Sequence, residues 1–330
     1  MASIRDVARL AGVSPSTVSR VMNGTAKVDD EKKQRVEKAI VETGFKPNEI
    51  ARSLYKKSSK LIGMIVPNII NPFFNELAGA IEEESDRRGY RLTLCNSNDD
   101  VEKEKRNLNL LDRMNADGII LMTNREEIRE EIARCRVPVV MLDRQIEKSS
   151  ELAYIQCNHR LGGRMAMEHL LECGCKHIVQ MAGPQRFSSA RQRLQGYLDV
   201  CKERGIEPTV IECSYSFEDG IVKAGELLDR WPDTDGILAA NDMVAISVYK
   251  VLHKRGYRVP EDIQLIGFDN ILLSGLFTPE ITTIAQPIAR MGQAAVELLV
   301  GHAAGDDVER SNVFEVELIK RETTRYHSGQ

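Results

Sequence analysis

Residues 4–23 read IRDVARLAGVSPSTVSRVMN, and the fold of the first fifty residues turns on them. Ile4, Val7, Ala8 and Ala11 recur at the spacing of one helix face. Ser3 stands where an N-cap belongs, with Asp6 three residues on as in a capping box. Gly12 ends that helix. Ser14 can cap a second one with Pro15 at its first position, where a missing N–H costs nothing. Val18, Val21 and Met22 make the apolar stripe of this second helix, which ends near Asn23-Gly24; Ser16, Thr17, Ser19 and Arg20 fall largely outside it. A third helix is expected to follow Asp29, through Val36, Ile40 and Val41, to Gly44. Two short helices joined by a tight turn, with hydroxyls and an arginine on the second, describe a helix-turn-helix. Its second helix enters the DNA major groove N-terminus first. Serine and threonine can donate to or accept from several bases, and arginine can grip guanine with two hydrogen bonds. The same helices would also serve as a plain three-helix bundle with a polar face.

Charge separates the two ends of the chain. Residues 1–60 carry 13 Lys/Arg against 7 Asp/Glu, net +6; the rest carry 32 against 42, net −10. A basic head on an acidic body suits a polyanion at one end and another ligand elsewhere. The 330 residues are too many for one ordinary domain. A content of 42% hydrophobic and 28% charged residues argues against disorder and fibres. No apolar run approaches the ~20 residues that span a bilayer. Arg5, Asp6 and Arg9 lie where a signal peptide needs an apolar core, so a cytoplasmic protein without a membrane partner is expected. The seven scattered cysteines make no disulfide framework. Cys173-x-Cys175 lacks the partners of a zinc set, and no metal or cofactor is expected. There is no G-x-S-x-G, phosphate loop or H-E-x-x-H, so no enzyme is expected. Asp143 and Asp269 as a glycosidase pair are the enzymatic alternative. His159, His169 and His177 are expected on the surface or in caps.

From Lys60 the texture changes to alternating strands and helices. Strand-like runs at 61–67, 90–96, 118–122, 137–143 and 153–157 are separated by helix-like stretches such as 75–88 and 101–114. Further runs follow at 177–183, 209–213, 236–240 and 263–269. This predicts an α/β body of two doubly wound units with parallel sheets, whose ligands bind beyond the C-terminal strand ends. At those ends stand Asn71, Phe73 and Phe74, then Asp143 and Arg144, then Arg193, Phe217, Asn241 with Asp242, and Asp269. Gln286 lies in the connecting stretch TTIAQP. Amides, carboxylates and guanidiniums can donate to and accept from vicinal hydroxyls, and phenyl rings cover C–H faces, a chemistry that suits a sugar. Singly, each residue has an ordinary reading too: Phe73 and Phe74 as core, Asp143–Arg144 as a surface pair, Asp269 as a helix cap.

The run at 4–23, with ARSL at 51–54 and S-x-x-I-G at 59–63, resembles the opening of the lactose/galactose repressor family. The resemblance extends over essentially the whole chain. The body is similar to periplasmic sugar-binding proteins, most of all the ribose-binding type. NPFF at 71–74, VPVVMLDRQ at 137–145, ARQRLQGY at 190–197, ND at 241–242, GFD at 267–269 and TIAQ at 283–286 carry that similarity.

What the resemblance implies is specific. In that family a short hinge helix forms only on operator DNA, lies in the minor groove and inserts a leucine between central base pairs. The matching segment is 48–55, and Leu54 is the matching leucine. Eight residues are too few for a stable isolated helix, and a leucine wedge costs roughly a few kcal/mol of unstacking. Leu54 as a core residue of a small bundle is the alternative. Ser14, Ser16, Thr17, Ser19, Arg20 and Asn23 would contact DNA from the head, with Asn48, Ala51, Leu54 and Tyr55 from the hinge. Asn71, Asp143, Arg144, Arg193, Asn241, Asp269 and Gln286 would hydrogen-bond the sugar, and Phe73, Phe74 and Phe217 would sandwich it.

The implied organisation is a helix-turn-helix head at 1–47, a hinge helix and linker at 48–59, and a sugar-binding and dimerisation core at 60–330. Crossings near Cys157, Gln286 and Glu315 divide the core into an N-lobe (60–157 and 287–314) and a C-lobe (158–286 and 315–330). A leucine-heptad tail is missing, so a homodimer is expected. Pro15 and Ala26 stand where relatives carry base-reading side chains, which leaves the operator sequence open. Double-stranded operator DNA and D-ribose or a related sugar are the expected partners. A global catabolite regulator with a phosphorylated phosphotransferase-system carrier protein as corepressor, or a sugar-binding receptor, are the alternatives.

Overall fold

The computed structural model describes residues 2–23, 28–45, 58–144, 146, 152–304 and 311–325. Contacts divide the chain into a unit of residues 1–59 and a unit of residues 60–330. In the first, α1 (Ile4–Ala11), α2 (Pro15–Asn23) and α3 (Asp30–Thr43) follow the predicted caps closely. The Ser3 hydroxyl accepts from the Asp6 amide and the Asp6 carboxylate accepts from the Ser3 amide, completing the capping box. The Ser14 hydroxyl accepts from the Thr17 amide at 3.2 Å at the start of α2. Val7, Ala8, Ala11, Val18, Val36 and Ala39 form the core of the head. Val41, named in the third helix, stays exposed; Ala39 takes the buried position instead.

In the second unit, β1 (Leu61–Val66), α4 (Pro72–Arg87), β2 (Arg91–Asn96), α5 (Val101–Arg113), β3 (Gly118–Leu121), α6 (Arg129–Arg134), β4 (Val139–Leu142) and β5 (Ala153–Cys157) come first. Next are α7 (His159–Glu172), β6 (Ile178–Ala182), α8 (Ser188–Arg204), β7 (Thr209–Glu212), α9 (Phe217–Arg230), β8 (Gly236–Leu238), α10 (Asp242–Lys254) and β9 (Gln264–Asp269). The chain closes with α11 (Leu272–Leu276), β10 (Thr282–Ala285), α12 (Ile288–Ala304), β11 (Ser311–Phe314) and β12 (Glu317–Ile319). Two sheets result, with orders β11-β5-β4-β3-β1-β2 and β12-β10-β9-β8-β6-β7. Pairing is parallel throughout the first sheet; in the second, β12 runs antiparallel to β10. Central strands such as β3, β4 and β9 are buried along their whole length, as a sheet covered by helices on both faces requires.

The chain leaves the first sheet after Cys157, returns after Ala285 and leaves again after Phe314. Three strands depart from the sequence reading. TTIAQP is not a connecting stretch: residues 282–285 form β10 beside β9, and β11 and β12 were not anticipated. Nor do His159 and His169 lie on the surface; both are buried, while His177 is exposed. Among the described residues, no helix is long and apolar enough to cross a membrane.

Candidate functional site

The C-terminal ends of both sheets face one cleft, lined by Asn71, Phe73, Phe74, Asp143, Arg144, Ser189, Arg193, Tyr215, Asn241 and Asp269. Local structure explains how each side chain gets there. Asn71 and Asn241 are N-caps of α4 and α10, their side-chain oxygens accepting from the amides of Phe73 at 3.1 Å and Val244 at 2.9 Å. Capping holds both amides rigid with their NH2 groups left to face a ligand. Asp143 (φ 64°), just past β4, and Asp269 (φ 110°), the last residue of β9, sit in the left-handed region. For non-glycine residues that is a strained conformation, of the kind that functional sites hold in place.

In the second lobe Arg193 organises the wall. It donates to the Ala240 carbonyl at 2.9 Å and to Asp269 Oδ1 at 3.1 Å, and its guanidinium lies 3.6 Å from the centre of the Phe268 ring. Gln286 donates to the same Asp269 oxygen at 2.8 Å. Burial nonetheless pushes the Asp269 carboxyl up to about 6, against the pull of Arg193 and Gln286. Across the cleft, Arg144 donates to Asp99 at 2.7 Å and covers the Phe187 ring of the opposite lobe at 3.8 Å. Burial also raises the Asp143 carboxyl, opposed by Arg144 and Arg193.

His159, at the start of α7, was missed by sequence reasoning. Its Nδ1 accepts from Arg193 Nε at 3.4 Å, and burial followed by the Arg193 charge holds it neutral. The proton therefore sits on Nε2, 3.7 Å from Asp143 Oδ1 and too far for a hydrogen bond. Among the described residues, six buried side-chain polar atoms lack a partner. Five lie in or beside this cleft: Asp143 Oδ1, His159 Nε2, Ser188 Oγ, Tyr215 Oη and Gln286 Oε1. Each would cost about 1–3 kcal/mol if nothing met it, which marks the cleft as built for a ligand rich in hydroxyls.

Of the ten residues expected around a sugar, eight line the cleft and Gln286 touches it through Asp269. Phe217 does not. It is the first residue of α9, and its ring faces Lys250 of α10, with Nζ 5.3 Å from the ring centre. Tyr215 supplies the aromatic wall instead, stacked on Phe187 at 6.0 Å. The signal was present in the sequence: Ser216 caps α9 by accepting from the Asp219 amide, so residue 217 already belongs to the helix and 215 to the loop facing the cleft.

In the head, Ser14, Ser16 and Arg20 are exposed along one side of α2, with Thr17 and Ser19 half-buried beside them. The Ser14 hydroxyl lies 2.8 Å from that of Ser16 and 2.9 Å from that of Thr17, a local cluster of donors and acceptors at the helix start. The Asn23 side chain, and Asn48, Ala51, Leu54 and Tyr55, lie outside the described residues.

Residues 3–48 match the model of bacterial regulatory proteins of the lacI family, and residues 167–324 match that of the periplasmic binding protein-like domain. The ribose operon repressor of Bacillus subtilis (strain 168) is 39% identical over 327 residues, covering 98% of this chain and 99% of that protein. The crystal structure of the lac repressor dimer bound to operator and the anti-inducer ONPF aligns with a TM-score of 0.89 at 29% identity over 98% of each chain. A LacI family transcriptional regulator from Enterococcus faecium, with bound ribose, aligns with a TM-score of 0.72 at 29% identity over 80% of this chain and 98% of that one.

Proposed function

The chain belongs to the lacI family of bacterial regulatory proteins, and from that premise we propose that it is a transcriptional repressor whose effector is D-ribose or a closely related sugar. The observation that carries the effector is the cluster of unpartnered buried polar atoms between two arginines and two aspartates. A pentose brings several hydroxyls, each able to donate and accept, and an apolar face for Phe73, Phe74 and Tyr215. Asp269, Asp143 and the Gln286 side-chain oxygen accept, and Arg193, Arg144 and the NH2 groups of Asn71 and Asn241 donate. The named relatives act in the same direction: one is a ribose operon repressor and another holds ribose.

A homodimer would place two copies of α2 in successive major grooves of a pseudo-palindromic operator. Ser14, Ser16, Thr17, Ser19, Arg20 and Asn23 face the bases, while Asn48, Ala51, Leu54 and Tyr55 form the minor-groove hinge with Leu54 as its wedge. The sugar holds the two lobes in the arrangement that binds DNA less well. It can shift that balance only by its differential affinity for the two states, typically about 1–3 kcal/mol.

The test is a gel shift on the operator upstream of the genes this protein controls, with a panel of pentoses and hexoses. D-Ribose is expected to weaken binding, and Asp269→Ala to abolish that response while leaving operator affinity intact. An operator complex indifferent to every sugar refutes the effector; a chain that binds no operator refutes the repressor.

A further inference from the structure

The turn at 269–271 carries the central carboxylate of the cleft, yet Asp269 and Asn270 both have positive φ (110° and 56°). Backbone of that kind persists only where its surroundings hold it. One side chain that is not among those lining the cleft does much of this. Asp242, the first residue of α10, is wholly buried. Its Oδ2 accepts from the Ile271 amide at 2.9 Å, and its Oδ1 lies 2.6 Å from the Thr283 hydroxyl of β10. That hydroxyl in turn accepts from the Asn270 amide at 3.4 Å. Gly267 on β9 makes room: a Cβ there would stand 2.1 Å from Asp242 Oδ1. From the far side, Arg321 donates to the Asn270 side-chain oxygen at 2.7 Å. Asp242 thus ties the start of α10, directly after the lining residue Asn241, to the turn after β9 and to the middle of β10.

We propose that Asp242 is a positioning residue for the effector: by bracing the 269–271 turn it sets the Asp269 carboxylate, without touching the ligand itself. The proposal rests on the sugar-effector reading above. The charged and titratable groups facing Asp242 are Asp269 on β9 and Arg321 beyond β12, and Thr283 and the Ile271 amide complete its surroundings. Burial, then the Asp269 charge, push its carboxyl up to about 8, against Thr283, Ile271 and Arg321. At neutral pH it holds its proton and braces the turn as a neutral group. Above that range it ionises and sets a second negative charge beside Asp269 in a buried site, where repulsion is strong.

The experiment is calorimetric titration of D-ribose into the full-length protein from pH 6.5 to 9, with hydrogen exchange of the free protein alongside. In the wild type, affinity is expected to hold up to pH 7 and then fall severalfold, with a midpoint near the value of about 8 given by burial and Asp269. Asp242→Asn, neutral and of the same shape, is expected to keep the pH 7 affinity and lose the alkaline fall. Asp242→Ala is expected to bind about tenfold more weakly at every pH, because it leaves the Ile271 amide and Thr283 hydroxyl unmet. Thr283→Val, which keeps the carboxyl and removes its partner, is expected to weaken binding in the same sense and serves if the alanine variant does not fold. Ribose affinity unchanged in Asp242→Ala or Thr283→Val, or the wild-type pH fall reproduced in Asp242→Asn, overturns the proposal. Exchange at 269–272 is independent of the sugar. If it quickens in Asp242→Ala while the wild type binds no pentose, the effector reading fails and the bracing stands; if it does not quicken, the bracing fails whatever the ligand.

Discussion

Arg193 points at Ala240, Asp269 and His159 together, with Phe268 beneath its plane. Only a planar fork of donors can do this, so Arg193→Lys, although it keeps the charge, is expected to weaken effector binding by about a hundredfold, read as a calorimetric Kd. The sites at single residues were legible to differing degrees. Asn71, Asp143, Arg144, Asn241 and Asp269 could be found because each lies at or shortly after the end of a recognisable strand. Tyr215 and His159 could not be found that way. A tyrosine two residues from a phenylalanine offers no distinction until the Ser216 cap is weighed, and a histidine at a helix start usually faces water, whereas His159 is enclosed by Arg193, Asp143 and Phe268. Asp242 adds a stability effect. Its folded carboxyl titrates at about 8 against 3.8 for the ordinary group, so the folded state keeps a proton that the unfolded chain gives up. This group's contribution is most favourable below about pH 4 and is lost progressively as pH rises to about 8. The melting temperature of Asp242→Asn relative to wild type is therefore expected to climb across that window in thermal scans; a constant difference contradicts the shift.

Helices α7 and α8 lie backbone to backbone: a Cβ on Gly163 would stand 2.1 Å from the Arg193 carbonyl oxygen, and one on Gly196 2.1 Å from that of Arg160. Gly163→Ala must push α8 outward and carry Arg193 with it. A loss of stability of about 1–3 kcal/mol is expected in urea unfolding, together with weaker effector binding, because the displaced helix bears the cleft's main donor. The elements that sequence reading found best are those closed by side-chain caps and glycine stops, such as α1 and α3, and the apolar runs of β1, β4 and β9. It missed β10, β11 and β12. They are three or four residues long, and TTIA and SNVF carry as many polar as apolar positions. Their strand character comes from the neighbour they pair with, which a local pattern does not contain.

Between the lobes, one further contact joins that of Arg144 with Phe187. Glu76 on α4 accepts from the Leu272 amide of α11 at 2.8 Å, and Arg144 lies over Phe187 at 3.8 Å. Both are lost if the lobes swing apart. Glu76→Ala is expected to raise the sugar concentration needed for release severalfold in the gel shift, while operator affinity without sugar stays as in the wild type. The threefold passage between the sheets has a consequence for how the molecule is made. The first sheet takes its edge strand from residues 311–314, and the helix packed against α4 comes from residues 288–304. A ribosome that has translated as far as Ala285 has thus made every residue of β1 to β5 but not their last partner. The sheet begun first is completed only at Phe314, shortly before β12 completes the second, and until then its open β5 edge is a natural place for a chaperone to hold the nascent chain.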